Sequence, residues 1–99
     1  MKFSWGLDWK ELRRFEKLDS TESAIVFYAE NKASMNHFKP LIFELTEKRN
    51  LEVCYVTSVK DDPLLTSKNL KIKSFYIGNK TARIKFFITL KAKILITDM

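Results

Sequence analysis

The chain has 99 residues, 45% of them hydrophobic and 13% aromatic, with 18 Lys and Arg against 12 Asp and Glu and a net charge of +6. That length supports one core rather than two, and only two Gly and two Pro exclude a low-complexity or disordered polymer. One cysteine excludes an intrachain disulfide, one Cys with one His cannot furnish a four-ligand zinc site, and no apolar run approaches the roughly 20 residues that span a bilayer.

The start, Met1-Lys2-Phe3-Ser4-Trp5, runs into charged residues instead of an apolar signal region, which together with the lone thiol predicts a cytoplasmic protein. From Trp5 to Leu18 the apolar residues Trp5, Trp9, Leu12, Phe15 and Leu18 recur near the helical period among charges. Residues 1–22 therefore read as an amphipathic helix that packs on the rest of the chain. Two Trp and several bases also suit an interfacial membrane helix, although the polar face carries as many acids as bases. Asp19-Ser20-Thr21 competes for backbone hydrogen bonds and ends the helix.

Residues 23–99 form the second unit. Ala24 to Ala29 is a short continuous apolar run, as expected of a parallel strand covered on both faces. Glu30 to Met35 reads as a loop. A helix is predicted to start near Asn36 as N-cap, with Pro40 in its first turn, Phe38, Leu41, Ile42 and Leu45 on one stripe, and Asn50 as its stop. Leu51 to Val56 is the next strand, Thr57-Ser58 its exit and Asp61-Asp62-Pro63 a turn. Lys71 to Ile77 is a third strand broken by Gly78-Asn79, Thr81 to Lys91 a second crossover helix, and Ile94 to Ile96 a last strand leading into Thr97-Asp98. This alternation predicts an α/β fold: a Rossmann-like three-layer sandwich with a mainly parallel sheet of about four strands and right-handed crossovers, preceded by the amphipathic helix.

The charge is uneven. Through Val59 nine bases balance nine acids, and residues 60–99 hold nine bases against Asp61, Asp62 and Asp98. Lys71, Lys73, Lys80, Arg83 and Lys85, with Lys91 and Lys93 beyond them, would attract phosphates or an anionic membrane face, or serve as solvated positions that keep the protein soluble. Aromatic rings in strands covered on both faces are hidden, which argues against nucleic-acid binding.

There is no G-x-G-x-x-G turn after the first strand and no phosphate-binding P-loop, and no cofactor is implied. The one histidine, His37, is expected in the first loop at the start of a helix. There the helix dipole disfavours imidazolium and leaves a neutral ring able to act as a general base toward an acceptor hydroxyl. A helix-capping or packing role for His37 stands beside that reading.

The order strand, loop, Asn36-His37-Phe38-Lys39-Pro40-Leu41, helix, Val53 to Ser58 resembles the amino-terminal domain of GT-B glycosyltransferases, whose first loop often carries H-x-x-P. Ile25 to Glu30, Cys54 to Ser58 with Asp61-Asp62-Pro63, Phe75 to Gly78 and Thr97-Asp98-Met99 resemble, more specifically, the CDP-glycerol glycerophosphotransferase-like family. The resemblance covers residues 23–99. It implies an enzyme of two Rossmann-like domains at the inner membrane face that transfers glycerol phosphate or a related group from a nucleotide-linked donor to a polyol or glycan in cell-envelope polymer synthesis. His37 would then line the acceptor cleft with Glu30, Asn31, Thr57 and Ser58 around it. The donor, CDP-glycerol or a nucleotide sugar, would be held mainly by a carboxyl-terminal domain that this sequence lacks, so the expectation is an acceptor-side fragment without turnover of its own. A stand-alone basic module that contacts a partner or an anionic membrane is the alternative from another class.

Overall fold

The computed structural model describes residues 6–19, 21–69 and 71–97, and Trp5 of the predicted apolar stripe, Ser20 of the predicted turn and the terminal Asp98-Met99 lie outside them. Four strands, β1 (Ile25–Ala29), β2 (Val53–Thr57), β3 (Ile72–Tyr76) and β4 (Ile94–Thr97), form one sheet in the order β3-β2-β1-β4, and every pairing is parallel. Helix α1 (Leu7–Glu16) precedes the sheet, α2 (Lys32–Phe43) joins β1 to β2, a short 3₁₀ turn (Pro63–Thr66) lies between β2 and β3, and α3 (Thr81–Thr89) joins β3 to β4. The chain is thus α/β, a Rossmann-like sandwich with an amino-terminal helix.

The period-2 alternation of each strand divides the core into two layers. Val26, Tyr28, Cys54, Val56 and Phe75 face α1 and α3, where Leu12, Phe15, Ala82 and Phe86 meet them. Phe27, Ala29, Val53, Tyr55 and Ile72 face the other way, onto Phe38 and Ile42 of α2 and Leu64 of the 3₁₀ turn. Phe15 stacks edge-on to both Phe75 and Phe86, with ring centroids 5.5 and 5.3 Å apart. Helix α1 is therefore a component of the core: its Leu12 is fully buried, and Glu16 ties it to α3 through Lys85 at 3.6 Å.

Three boundaries differ from the sequence reading. Helix α1 ends at Glu16 with Lys17 as its cap, so the predicted helix over residues 1–22 is shorter than expected and residues 21–24 are turn and bend. Helix α2 begins at Lys32 instead of near Asn36, because Asn31 takes the N-cap position and its side chain accepts the Ser34 N–H at 3.1 Å. Pro40 consequently sits deep inside the helix, not in its first turn. The helix continues into a π turn over Glu44–Lys48, in which Thr46 Oγ1 donates to Ile42 O at 2.8 Å. Asn50 ends it as expected: its φ of 57° is the left-handed conformation, and Leu51 N–H closes the end on Leu45 O at 2.9 Å. Helix α3 stops at Thr89, short of Lys91, and the backbone turns extended at Leu90.

Candidate functional site

In a sheet of order 3-2-1-4 the connections diverge at β1: α2 leaves across one face, and α3 returns to β4 across the other. That puts the topological switch point between β1 and β4, and in open parallel sheets ligands are bound beyond the carboxyl ends of the strands at such a point. The residues that the sequence sets there are Glu30 after β1, Ser58 after β2, Gly78 after β3, and Lys80 to Arg83 at the start of α3.

These loops meet in a directed chain of hydrogen bonds. Ser58 Oγ lies 2.5 Å from Gly78 O, and since a carbonyl only accepts, the serine proton points there. Tyr28 OH, 2.5 Å from the same Oγ, must then be the donor to Ser58. Its own oxygen accepts from Arg83 Nε at 2.7 Å, and Arg83 Nη2 reaches Glu30 Oε2 at 4.0 Å. The guanidinium also lies over the Tyr28 and Phe87 rings, 5.7 and 5.8 Å from their centroids. With Nε committed to Tyr28 and the side chain 33% exposed, the Arg83 fork keeps donors for an anionic oxygen arriving from solvent.

Gly78 forms the floor of this cluster. Gly78 has φ of 66°, and a Cβ there would meet Asp8 Oδ2 at 3.3 Å, so both conformation and space call for glycine. Asp8 is itself buried in the first turn of α1 and accepts the Trp9 N–H at 2.9 Å. On the β4 side, Thr97 pairs in register with Tyr28, and its hydroxyl oxygen is buried with no hydrogen-bond partner among the described residues. An unmet hydroxyl beside Tyr28 is a ready contact for a polar ligand.

A second network lies on the opposite face of the same sheet. Asp62, 3% exposed, accepts from Tyr55 OH at 2.5 Å, Thr57 Oγ1 at 2.9 Å and Leu64 N–H at 3.0 Å. Burial, reinforced by the bond to Asp62 and its charge, pushes the Tyr55 phenol well above its usual range. This network is closed to solvent and fastens the 3₁₀ turn to β2.

The residues expected around the site therefore separate. Glu30 and Ser58 come together through Arg83 and Tyr28. Asn31 is the cap of α2, and Thr57 belongs to the Asp62 network. His37 is not at a helix start: it is exposed and six residues past the N-cap, about 9 Å along α2, because Asn31 captures the cap position. That placement removes the dipole argument for a neutral ring, since the effect fades after the first turn.

The basic residues divide as well. Lys71 and Lys73 stand at the amino end of β3, where Lys73 pairs with Glu22 at 3.8 Å. Lys80 and Arg83 belong to the start of α3 at the opposite end of the sheet, while Lys85 stands at the middle of α3 and is held by Glu16 at the end of α1. Among the described residues no group of three or more His, Cys, Asp and Glu is arranged to hold a metal ion, and no helix is long and apolar enough to cross a membrane. Cys54, fully buried against Glu22 O, has its thiol pushed up to about 12, chiefly by burial.

Tyr28, Gly78, Asp8 and Thr97 escaped the sequence reading. Gly78 carried a visible signal, as one of only two glycines and placed directly after a strand. Tyr28 was hidden inside an apolar run, where its ring reads as core and its hydroxyl is overlooked.

Comparisons of this chain with protein-family models, with curated proteins and with solved structures return no match. The fold and this site are thus what define its class: a parallel α/β domain with an arginine-bearing polar cluster at the carboxyl ends of its strands.

Proposed function

We propose that this chain is the acceptor-side domain of a two-domain transferase of the GT-B kind, similar to the CDP-glycerol glycerophosphotransferases, and that it binds a phosphate-bearing polyol or glycan at the carboxyl ends of β1 and β2. The observation that supports this reading most is the Glu30–Arg83–Tyr28–Ser58 chain. Arg83 supplies fixed donors for a phosphate oxygen, Glu30 accepts from a polyol hydroxyl, and the Thr97 hydroxyl adds a further polar contact. Ser58 spends its proton on Gly78 O, so it orients Tyr28 and does not act as a nucleophile. A nucleotide-linked donor such as CDP-glycerol would require a second domain, and turnover would follow only with that domain present. His37 enters this reading as a candidate base for the transfer step, not as a contact that holds the phosphate. The division of the basic residues between two ends of the sheet gives no support to a single membrane-facing patch.

Isothermal titration calorimetry with glycerol 3-phosphate and with glycerol tests the proposal. Glycerol 3-phosphate binds and glycerol binds at least tenfold more weakly. Arg83→Gln abolishes the difference, while His37→Ala leaves phosphate binding within twofold. Equal affinity for the two ligands in the unaltered chain, or full phosphate binding by Arg83→Gln, contradicts it.

A further inference from the structure

A groove of about 470 Å³ runs along the outer edge of β3 and shares no residue with the Arg83 cluster. Its size is that of a small-ligand site. Helix α1 forms one wall with Arg14, Lys17 and Leu18, and the segment from Leu65 to Asn69 forms the other. Between them the strand itself is the floor. In a parallel ladder alternate residues direct both N–H and C=O to the same neighbour. Lys71 O accepts from Val53 N–H and Ile77 N–H donates to Thr57 O, so the odd-numbered residues serve β2 and the N–H groups of Ile72, Ser74 and Tyr76 face the groove side. Ile72 N–H is taken by Asn69 O at 3.1 Å and Tyr76 N–H by Glu11 Oε1 at 3.4 Å. Ser74 N–H, between them, has no partner among the described residues. An added strand needs several open edge groups in succession, and the chain has capped the donor on either side. The floor thus offers one backbone donor to a compact ligand.

The charge around that donor is of one sign. Arg14, Lys17 and Lys73 line the groove, and among the described residues no carboxylate does. Glu11 links Arg14 Nη1, at 2.5 Å, to the Tyr76 N–H, which sets the guanidinium beside the strand edge and 4.8 Å over the Phe75 ring. Held through Nη1, the fork keeps Nε and Nη2 for an incoming oxygen. Lys17, at the cap of α1, makes no ion pair among the described residues, whereas Lys73 is engaged by Glu22 at 3.8 Å. Leu18 and Leu65 add apolar surface on the facing walls.

We propose that this groove binds a small phosphate monoester with an apolar body, its phosphate on Arg14, Lys17 and the Ser74 N–H and its body between Leu18 and Leu65. Three donors from two elements suit the three terminal oxygens of a phosphate, whereas the two oxygens of a carboxylate are filled by the guanidinium fork alone. The polyol of glycerol 3-phosphate gains nothing from the apolar walls, so this site and the Arg83 cluster take different esters.

Amide chemical shifts followed during titration with phenyl phosphate test the proposal. The Arg83→Gln chain is used, so that binding at the Arg83 cluster is not mistaken for binding here. Phenyl phosphate moves the Ser74 amide saturably, and inorganic phosphate and benzoate each bind at least fivefold more weakly. Arg14→Gln weakens phenyl phosphate at least fivefold with unchanged circular dichroism. Lys17→Gln does the same and keeps the test open if the loss of Arg14 disturbs the packing on Phe75. Lys48→Gln, which removes a cation outside the groove, leaves binding within twofold. A phosphotyrosyl peptide binds no more tightly than phenyl phosphate, since the capped edge gives its backbone no ladder. No saturable shift at Ser74, equal binding of benzoate or inorganic phosphate, undiminished binding by Lys17→Gln, a loss on Lys48→Gln as large as that on Lys17→Gln, or a peptide bound tenfold more tightly would each overturn the proposal.

Discussion

Tyr28 and Tyr55 lie on adjacent strands, both fully buried and both hydrogen-bonded through the hydroxyl, yet they do opposite things. One register position apart, they point to opposite faces of the sheet. Tyr55 ends in a carboxylate with all its partners inside the protein, and the result is a fastening. Tyr28 ends between a serine and an arginine whose remaining donors face solvent, and the result is a place for a ligand. Burial of the ring is the same in both. What distinguishes a structural tyrosine from a functional one here is whether its hydrogen-bond chain closes inside the molecule or runs out to the surface.

The largest effect expected from the closed side is alkaline. Tyr55 and Cys54 keep their protons in the folded state above the values at which the unfolded chain gives them up. Their contribution to stability is therefore whole below the ordinary thiol value of 9.0 and lost as the pH climbs toward about 12. Circular dichroism followed together with tyrosinate absorbance checks this: the Tyr55 share of the absorbance rises only as the fold is lost. A complete absorbance change with the fold intact would show that Tyr55 is not sealed. In the same state Cys54 reacts with a thiol reagent only as fast as the chain unfolds.

Asp62→Ala comes next. It leaves two buried hydroxyls and one backbone N–H without their acceptor, at about 1–3 kcal/mol for a fully desolvated group, and frees the 3₁₀ turn, so the total loss is about 3 kcal/mol. Urea denaturation measures it as a lower midpoint. Tyr55→Phe follows at about 1.5 kcal/mol, since Thr57 and Leu64 N–H still serve the carboxylate. Tyr28→Phe sharpens the comparison. It costs under about 1 kcal/mol of stability because Ser58 keeps Gly78 O, yet it frees Arg83 from its anchor and weakens glycerol 3-phosphate binding several-fold. A Tyr28→Phe chain that is strongly destabilised but binds normally would reverse the roles assigned to the two tyrosines. Arg83→Gln is the smallest in stability, within about 0.5 kcal/mol for a partly exposed cation, and affects binding alone.

Much of the architecture was legible in the residues. The apolar runs 24–29 and 51–56 read as covered strands and are β1 and β2, and the stop at Asn50 is met by its left-handed backbone. The start of α2 was not legible, because Asn31 and Asn36 are equally good caps and Pro40 favoured the later one. The choice rests on where β1 ends and on the Ser34 N–H within reach of Asn31. The site was half legible. Glu30 and Ser58 follow from the rule that loops after parallel strands carry function. Their link through Tyr28 and Arg83, 55 residues apart in the chain, depends on α3 folding back over β1, which no local pattern reveals.

The central claim, that the open chain ending in Arg83 is where this protein meets its ligand, is tested most directly by mapping amide chemical shifts on adding glycerol 3-phosphate. The account predicts shifts concentrated at Glu30, Ser58 and residues 78–83, with Asp62 to Thr66 unmoved. Shifts confined to the β3 edge or to the middle of α2 around His37, or no saturable shift at all, would contradict it.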